Sequence, residues 1–379
     1  MPYKAPSPVH LLLRFCNHLY KVQIRQGDTR PPASRVESPS GTARPTENLA
    51  ASAVSTLEKT DRNCSLGKDQ KMTENRPNIV VIAGPTASGK TSVGVRLGQR
   101  FQGEIVSADS VQIYRYLDVG SAKPTPDERA SVPHHMIDIR DPDQEFSAGD
   151  YMREAREIID KIGRAGRVPL VVGGTGLYIK ALLGGIVELP LANRALRREL
   201  REQERTRGEG TLFGKLMRVD PEIARRIHPQ NVPRIVRALE VYEVTGTKLS
   251  DIQRRHSFRD RPFRHLFVCL DPGREILYER IDNRVDSMIE RGLIEEVNQL
   301  LQRGYGRDLK SMQSLGYRHA AMVVAGETDR DEAIRLMKRD TRRYAKRQLT
   351  WFRSESDALW FDPRDSDKIE SVVENFLGR

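Results

Sequence analysis

Asn78–Thr91, NIVVIAGPTASGKT, decides the fold. Its first six residues are apolar and rich in β-branched side chains, the composition of a strand buried on both faces of a parallel sheet. Gly84-Pro-Thr-Ala-Ser-Gly-Lys-Thr91 then matches G-x-x-x-x-G-K-[ST], and SVGVRLGQRF after it reads as a helix. In such a turn Gly84 and Gly89 let the backbone curl, so that N–H groups of Pro85–Ser88 residues able to donate (Thr86, Ala87, Ser88) face inward. The helix N-terminus adds positive potential, Lys90 neutralises phosphate oxygens, and Thr91 can ligate Mg²⁺. A chance glycine-rich turn is the competing reading, and the strand before and helix after it favour a phosphate site. The expectation is an α/β, P-loop NTPase-like core with a parallel sheet. The loop leaves open whether it holds a nucleotide, a diphosphate ester, or both.

A nucleotide-hydrolysing relative would carry a second apolar strand ending in Asp, to hold the metal through water. The best later strand, Arg167–Val172, runs instead into Gly173-Gly-Thr-Gly176. The acidic strand end comes earlier, in GEIVSADSVQIY, where Asp109 falls at the carboxyl edge of the sheet, the place where open α/β proteins bind ligands. There a carboxylate can act as general base or bind metal, or simply serve as the N-cap of the next helix.

Outside this core the charge is informative. The 379 residues hold 63 Lys+Arg against 52 Asp+Glu, a net +11. A polyanion, nucleic acid first, is therefore a plausible partner, although a modestly basic protein can also be merely soluble. Three unpatterned cysteines (Cys16, Cys64, Cys269) exclude a disulfide framework and a four-ligand zinc site and suggest a reducing compartment. No run approaches a membrane span. Residues 1–71 hold eleven Lys+Arg and six Asp+Glu, leaving +6 for residues 72–379. Their Pro, Ser, Thr and Gly content reads as disorder, and VHLLLRFCNHLYKVQIR as either an amphipathic targeting segment or an over-long start before Met72, the latter being favoured.

Further along, residues 192–260 are helix-rich and charged and read as an inserted helical subdomain. There Ile235, Ala238, Leu239 and Tyr242 form a buried face that leaves Arg234 and Arg237 free to turn outward. In the helix beginning near Glu275, Ile281, Val285 and Met288 make the buried stripe, with Arg280 and Arg284 four apart on another face, where local pairing with Asp282 or Glu279 is the plain alternative. Arg335–Arg353 carries eight Lys+Arg and one acid, interleaved with Tyr344, Trp351 and Phe352. Such a stripe suits RNA phosphates, with rings and guanidinium planes to stack on unpaired bases. A last amphipathic helix follows in DSDKIESVVENFLG.

Taken in order, GPTASGKT, SADSVQIYRYLDVGSAKPT, PHHMIDIRDPDQEFSAGDY, PLVVGGTGLYIKALL, PRIVRALEVYEVTG, SMQSLGYRH and KRQLTWFR closely resemble the tRNA dimethylallyltransferases, also called tRNA isopentenyltransferases, over residues 78–353. The resemblance implies transfer of a prenyl group from dimethylallyl diphosphate to N6 of adenine 37 in the tRNA anticodon stem-loop. It implies that Gly84–Thr91 holds the donor's diphosphate with Mg²⁺, that Asp109 is the base, and that Arg284 contacts the diphosphate. The adenine, flipped into a channel, would meet Asp109, Ser110, Val111 and Gln112, with Gln112 bonding its edge and Thr175 lining the same channel. tRNA contacts would come from Arg197, from Pro233, Arg234, Ile235, Val236 and Arg237, from Gln313, Ser314, Leu315, Gly316, Tyr317 and Arg318, and from Lys346 and Arg347. The implied layout is a core over 72–191, a tRNA-contacting insert over 192–260, and core completion with basic helices over 261–379. With no cysteine after Cys269 the zinc finger of eukaryotic relatives is absent, which gives a bacterial-type architecture, expected to be a cytoplasmic monomer. A P-loop small-molecule kinase, an adenylate isopentenyltransferase and a non-catalytic RNA-binding protein remain as alternatives.

Overall fold

In the computed structural model, residues 76–379 are described, apart from 188, 191 and 257–259. The expectations for residues 1–71 lie outside them. The described residues open on β1 (Asn78–Ala83), the strand expected, which turns through the phosphate loop into α1 (Lys90–Phe101). There follow β2 (Gly103–Ser107), α2 (Pro126–Ser131), β3 (His134–His135), α3 (Ala148–Arg164), β4 (Val168–Gly173) and α4 (Gly176–Gly184). A run without strands comes next: α5 (Arg194–Arg207), α6 (Thr211–Val219), α7 (Pro221–Ala224), α8 (Val232–Thr245) and α9 (Leu249–His256). The α/β pattern resumes with β5 (Arg264–Leu270), α10 (Arg274–Glu290), α11 (Leu293–Gln302), α12 (Tyr317–Val324), α13 (Arg330–Phe352), β6 (Ala358–Phe361) and α14 (Ser366–Leu377).

The sheet order is β3-β2-β4-β1-β5-β6, and every described pairing is parallel. β1 lies between β4 and β5, with Val80 opposite Leu170 on one side and Leu266 on the other. After β1 the chain moves away to one flank for β2, β3 and β4, and returns on the other flank for β5 and β6. The carboxyl end of β1 is thus a point where the winding reverses, which opens a crevice between loops leaving in opposite directions. That topology fixes where a ligand can enter before any side chain is considered.

Ile79, Val81 and Ala83 face one core, shared with α3, α4 and the inner face of α13, whereas Val80 and Ile82 face another, shared with α1 and α14. Burial on both faces explains why β1 shows no polar alternation. α3 starts at Ser147, whose hydroxyl accepts from Asp150 N while the Asp150 carboxylate accepts from Ser147 N, a reciprocal cap that satisfies two of the helix's free donors. The strandless run α5–α9 has an apolar cluster of its own, built on Leu200, Leu212, Leu216, Ile223, Ile235 and Leu239. Among the described residues no helix is long and apolar enough to cross a membrane.

Two expectations about outward faces do not hold. Arg234 is only 4% exposed, and Glu240, further along α8, is completely buried. Arg237 pairs with that carboxylate at 2.5 Å, Arg197 reaches it from α5 at 2.8 Å, and Asn193 N donates to it at 2.7 Å. A buried carboxylate without partners would carry a large desolvation cost, so Arg197 and Arg237 are drawn inward to offset it. In α13, Trp351 and Phe352 are core residues, 7% and 0% exposed, rather than rings offered to RNA. They share the apolar face set by the spacing of Thr341, Ala345, Gln348 and Phe352, every one of them buried.

Candidate active site

A cavity of about 970 Å³ opens at the carboxyl ends of β1, β2 and β4. Its floor is the phosphate loop. Beyond Gly84 and Pro85, Ala87 takes a left-handed φ of 64° and Gly89 one of 92°, the latter capping α1 so that Lys90 begins the helix. Ser88 is fully buried and its hydroxyl has no hydrogen-bond partner among the described residues. Lys90 Nζ folds back to donate to Pro85 O at 2.6 Å. Thr86, Lys90 and Thr91 all line the cavity.

Arg280 and Arg284, from α10, come in above the loop. Arg284 does not pair with its helix neighbours: Nη1 donates to Thr86 Oγ1 at 3.2 Å. Burial first, and then the neighbouring Arg284 guanidinium, bring the Lys90 amine from its ordinary 10.5 down to about 8 against the opposing pull of Asp109. Burial likewise lowers Arg284, again opposed by Asp109. Two cations are therefore held in a desolvated corner with one carboxylate, an arrangement that an anion between them would relieve.

Asp109 stands just beyond β2. Its Oδ1 accepts from Val111 N at 2.8 Å and from Gln112 N at 3.3 Å, so the carboxylate caps a turn and not a helix, the next helix beginning only at Pro126. Among the described residues no hydrogen bond reaches Oδ2, which leaves one oxygen of a fixed carboxylate facing the cavity it lines. Thr175, at the head of α4, accepts from Ser110 N through Oγ1 at 3.1 Å and thereby ties the β4 loop to the Asp109 loop. Gln112 lines the cavity, but its amide is already engaged. Nε2 donates to Ser121 O at 3.3 Å and Ala122 O at 3.2 Å, and Oε1 accepts from Ser107 at 3.1 Å. To bond a base edge, it would first have to give these up.

Sequence reading missed Gln348. Only 7% exposed, it reaches from α13 to both loops at once: Oε1 accepts from Thr86 N at 2.8 Å and Nε2 donates to Gly174 O at 2.8 Å. The fit is close enough to require glycine. A Cβ at Gly174 would stand 2.5 Å from that amide nitrogen, and one at Gly176 would stand 2.4 Å from the Trp351 ring. The signal available in the sequence was a polar residue on the buried face of an otherwise apolar-and-cationic helix.

Of the segment Gln313–Arg318, Gln313, Ser314 and Leu315 line the cavity. Gly316 opens α12 at φ 88°. Tyr317 points into the core, with no exposure and its hydroxyl donating to Glu296 at 2.7 Å, and Arg318 pairs with Asp340 at 2.6 Å. On α13, Arg335, Lys338, Arg339, Arg342, Arg343 and Arg353 each meet a carboxylate. Among the described residues Lys346 and Arg347 meet none, and Arg347 lies 5.7 Å over the Tyr344 ring. Pro233, Arg234, Ile235, Val236, Arg237 and Arg197 belong to the α5 and α8 packing described above and do not line the cavity.

The comparisons agree on one family. A model described as IPP transferase matches residues 112–355. A tRNA dimethylallyltransferase 1 from Syntrophotalea carbinolica is 48% identical over 305 residues, 80% of this chain and 97% of its own. Another tRNA dimethylallyltransferase, from Syntrophobacter fumaroxidans, is 51% identical over 78% of this chain and 86% of its own. Among solved structures, the full-length tRNA isopentenylpyrophosphate transferase of Bacillus halodurans is similar with a TM-score of 0.59 and 39% identity, covering 80% of this chain and 97% of that one. A eukaryotic dimethylallyltransferase caught acting on tRNA gives a TM-score of 0.70 at 29% identity, covering 79% of each chain.

Proposed function

The chain belongs to the IPP transferase family, the tRNA dimethylallyltransferases, and from that premise we propose how its cavity moves a dimethylallyl group from dimethylallyl diphosphate to N6 of adenine 37 in tRNA, releasing diphosphate. The observation that carries the reading is the convergence of Lys90, Arg284 and Asp109 on one cavity of about 970 Å³. The two desolvated cations bind the donor's diphosphate and stabilise the charge that develops as its C–O bond breaks. The orphaned Ser88 hydroxyl and the inward turn of the loop supply hydrogen bonds to the same oxygens. Thr91 Oγ1 would hold Mg²⁺ together with phosphate oxygens, and the ion would add further neutralisation of the leaving group. Among the described residues no cluster of three or more His, Cys, Asp or Glu could hold a metal by itself, so a site completed by substrate phosphates fits the residues present.

The acceptor amine is a weak nucleophile because its lone pair is delocalised into the ring. As the C–N bond forms, the N6 proton passes to Asp109 Oδ2, the carboxylate oxygen left without a hydrogen bond. For N6 to reach that atom the adenine must leave the anticodon-loop stack and enter the cavity, with Ser110, Val111, Gln112 and Thr175 around it. The tRNA body lies against the outer face of α13, where Lys346 and Arg347 are uncompensated, with Gln313–Leu315 at the cavity rim. Arg197 and Pro233–Arg237 act by holding α5 against α8. A monomer working in the cytoplasm completes the proposal. A small-molecule kinase is disfavoured by the end of β4, which carries Gly173 and Gly174 where a metal-holding acid would stand.

The test is incubation of purified protein with dimethylallyl diphosphate, Mg²⁺ and tRNA bearing adenine 37, followed by mass spectrometry of that nucleoside. A five-carbon increment at N6 is expected. Tight ATP binding with no affinity for the prenyl donor, or equal transfer to free AMP, would replace the proposal with one of its rivals.

A further inference from the structure

Tyr116 is held in a conformation that its side chain does not favour, and its ring is offered to water. Its φ is 66°, in the left-handed region that aromatic residues rarely occupy, and the residue is 43% exposed. A strained backbone position with no burial to offset it points to a role for the displayed group. The ring is braced on two sides. The Arg303 guanidinium lies 4.6 Å from its centroid, and the Tyr305 ring stands 6.4 Å away at 29° to it. Tyr116 follows Gln112 and Tyr114, and Tyr305 precedes Lys310, Ser311 and Gln313, so both belong to segments that wall the cavity.

Charge nearby is mixed: Arg115 pairs with Asp141 at 2.9 Å, and Asp141 and Asp143 both lie close enough to act on Tyr305. That balance does not suit a phosphate, but an aromatic ring backed by a guanidinium suits the face of an unpaired base. Resting on the tRNA reading above, we propose that Tyr116, braced by Arg303 and Tyr305, is a stacking platform for an anticodon-loop base beside the one that enters the cavity.

The test compares direct binding of unmodified tRNA bearing adenine 37 by the full chain, Tyr116→Gly and Tyr116→Phe. Glycine relieves the left-handed strain while removing the ring, so its melting temperature should be unchanged or higher, and a loss of affinity is not a folding defect. We expect Tyr116→Gly to raise the tRNA Kd about ten-fold, near the lower end of what stacking one base contributes. The slope of log Kd against log salt and the KM for dimethylallyl diphosphate should not change, and Tyr116→Phe should match the parent. An unaltered Kd in Tyr116→Gly, or an equal loss in Tyr116→Phe, overturns the platform. Because binding is read without transfer, a parent that binds tRNA but does not prenylate it defeats the functional proposal alone.

Discussion

The corner around the phosphate loop and the outer face of α13 are both rich in cations, and they treat those cations in opposite ways. In the corner, Lys90 and Arg284 are half-buried beside one carboxylate, and burial depresses both. Along α13 and at its C-cap six of the eight Lys and Arg between Arg335 and Arg353 meet an acid, three of them through acids outside that helix: Asp286 for Lys338, Asp282 for Arg342 and Asp271 for Arg353. An exposed compensated pair contributes little and presents little net field to a polyanion, whereas two partly buried cations that share a single carboxylate keep a net positive charge to offer an anion. A count of charges along the sequence sees the second region and misses the first.

The largest expected effect comes from the acid in the corner. Asp109→Asn removes the proton acceptor and keeps the cap on Val111 and Gln112, since an amide oxygen can still accept both N–H bonds. Single-turnover transfer should fall about 10³-fold, within the range for a general base, with tRNA affinity retained. If the rate survives, the corner is an anion site without base chemistry.

The next effect is a pH dependence with two opposite signs. Lys90 titrates near 8 in the folded protein against 10.5 for its ordinary value, so between those limits the unfolded chain holds a proton that the folded chain has lost. Stability should therefore rise with pH through that window, relative to Lys90→Met measured alongside. Donor binding needs the charged amine, so kcat/KM for dimethylallyl diphosphate should decline above about pH 8. Parallel rather than opposed trends would mean that Lys90 does not face the diphosphate.

A smaller effect probes the link between the two regions. Gln348 joins α13 to the phosphate loop and the β4 loop, and Gln348→Met keeps its length while removing both bonds. Leaving Thr86 N and Gly174 O unpaired should cost about 1–3 kcal/mol of stability. Loosening of both loops should lower kcat about ten-fold with little change in tRNA affinity, a misplacement effect. A stability loss with kcat intact would make Gln348 a packing residue only.

These residues also show what the sequence could and could not reveal. The phosphate loop was legible because its meaning lies in eight consecutive residues, and Asp109 because it follows a strand by two positions. Gln348 was not, since its partners are as far as 262 positions away and no local spacing announces them. Arg234 and Arg237 were misjudged for a related reason: the acid that draws in Arg237 also pairs with Arg197, 43 positions before Glu240. Trp351 and Phe352 could have been placed correctly, because Thr341, Ala345, Gln348 and Phe352 repeat at helical spacing and mark the buried face. β5, RHLFVCL, carries the same apolar run as β1 but lacks a motif behind it to draw the eye.

The smallest effect separates compensated from uncompensated cations on one helix. Lys346 is exposed and meets no acid among the described residues, whereas Arg342 donates to both oxygens of Asp282 at 2.9 and 2.7 Å. Each side chain carries one charge, so a count of basic residues predicts equal losses. Lys346→Gln should weaken tRNA binding a few-fold and reduce the slope of log affinity against log salt by about one, the mark of one lost phosphate contact. Arg342→Gln should leave that slope unchanged, because its neutralising partner is already in the protein, and should show instead as a small loss of stability from Asp282 left alone. Equal slopes in the two variants would mean that RNA displaces the α13 ion pairs on binding, and the contrast between the two regions would then hold only for the free protein.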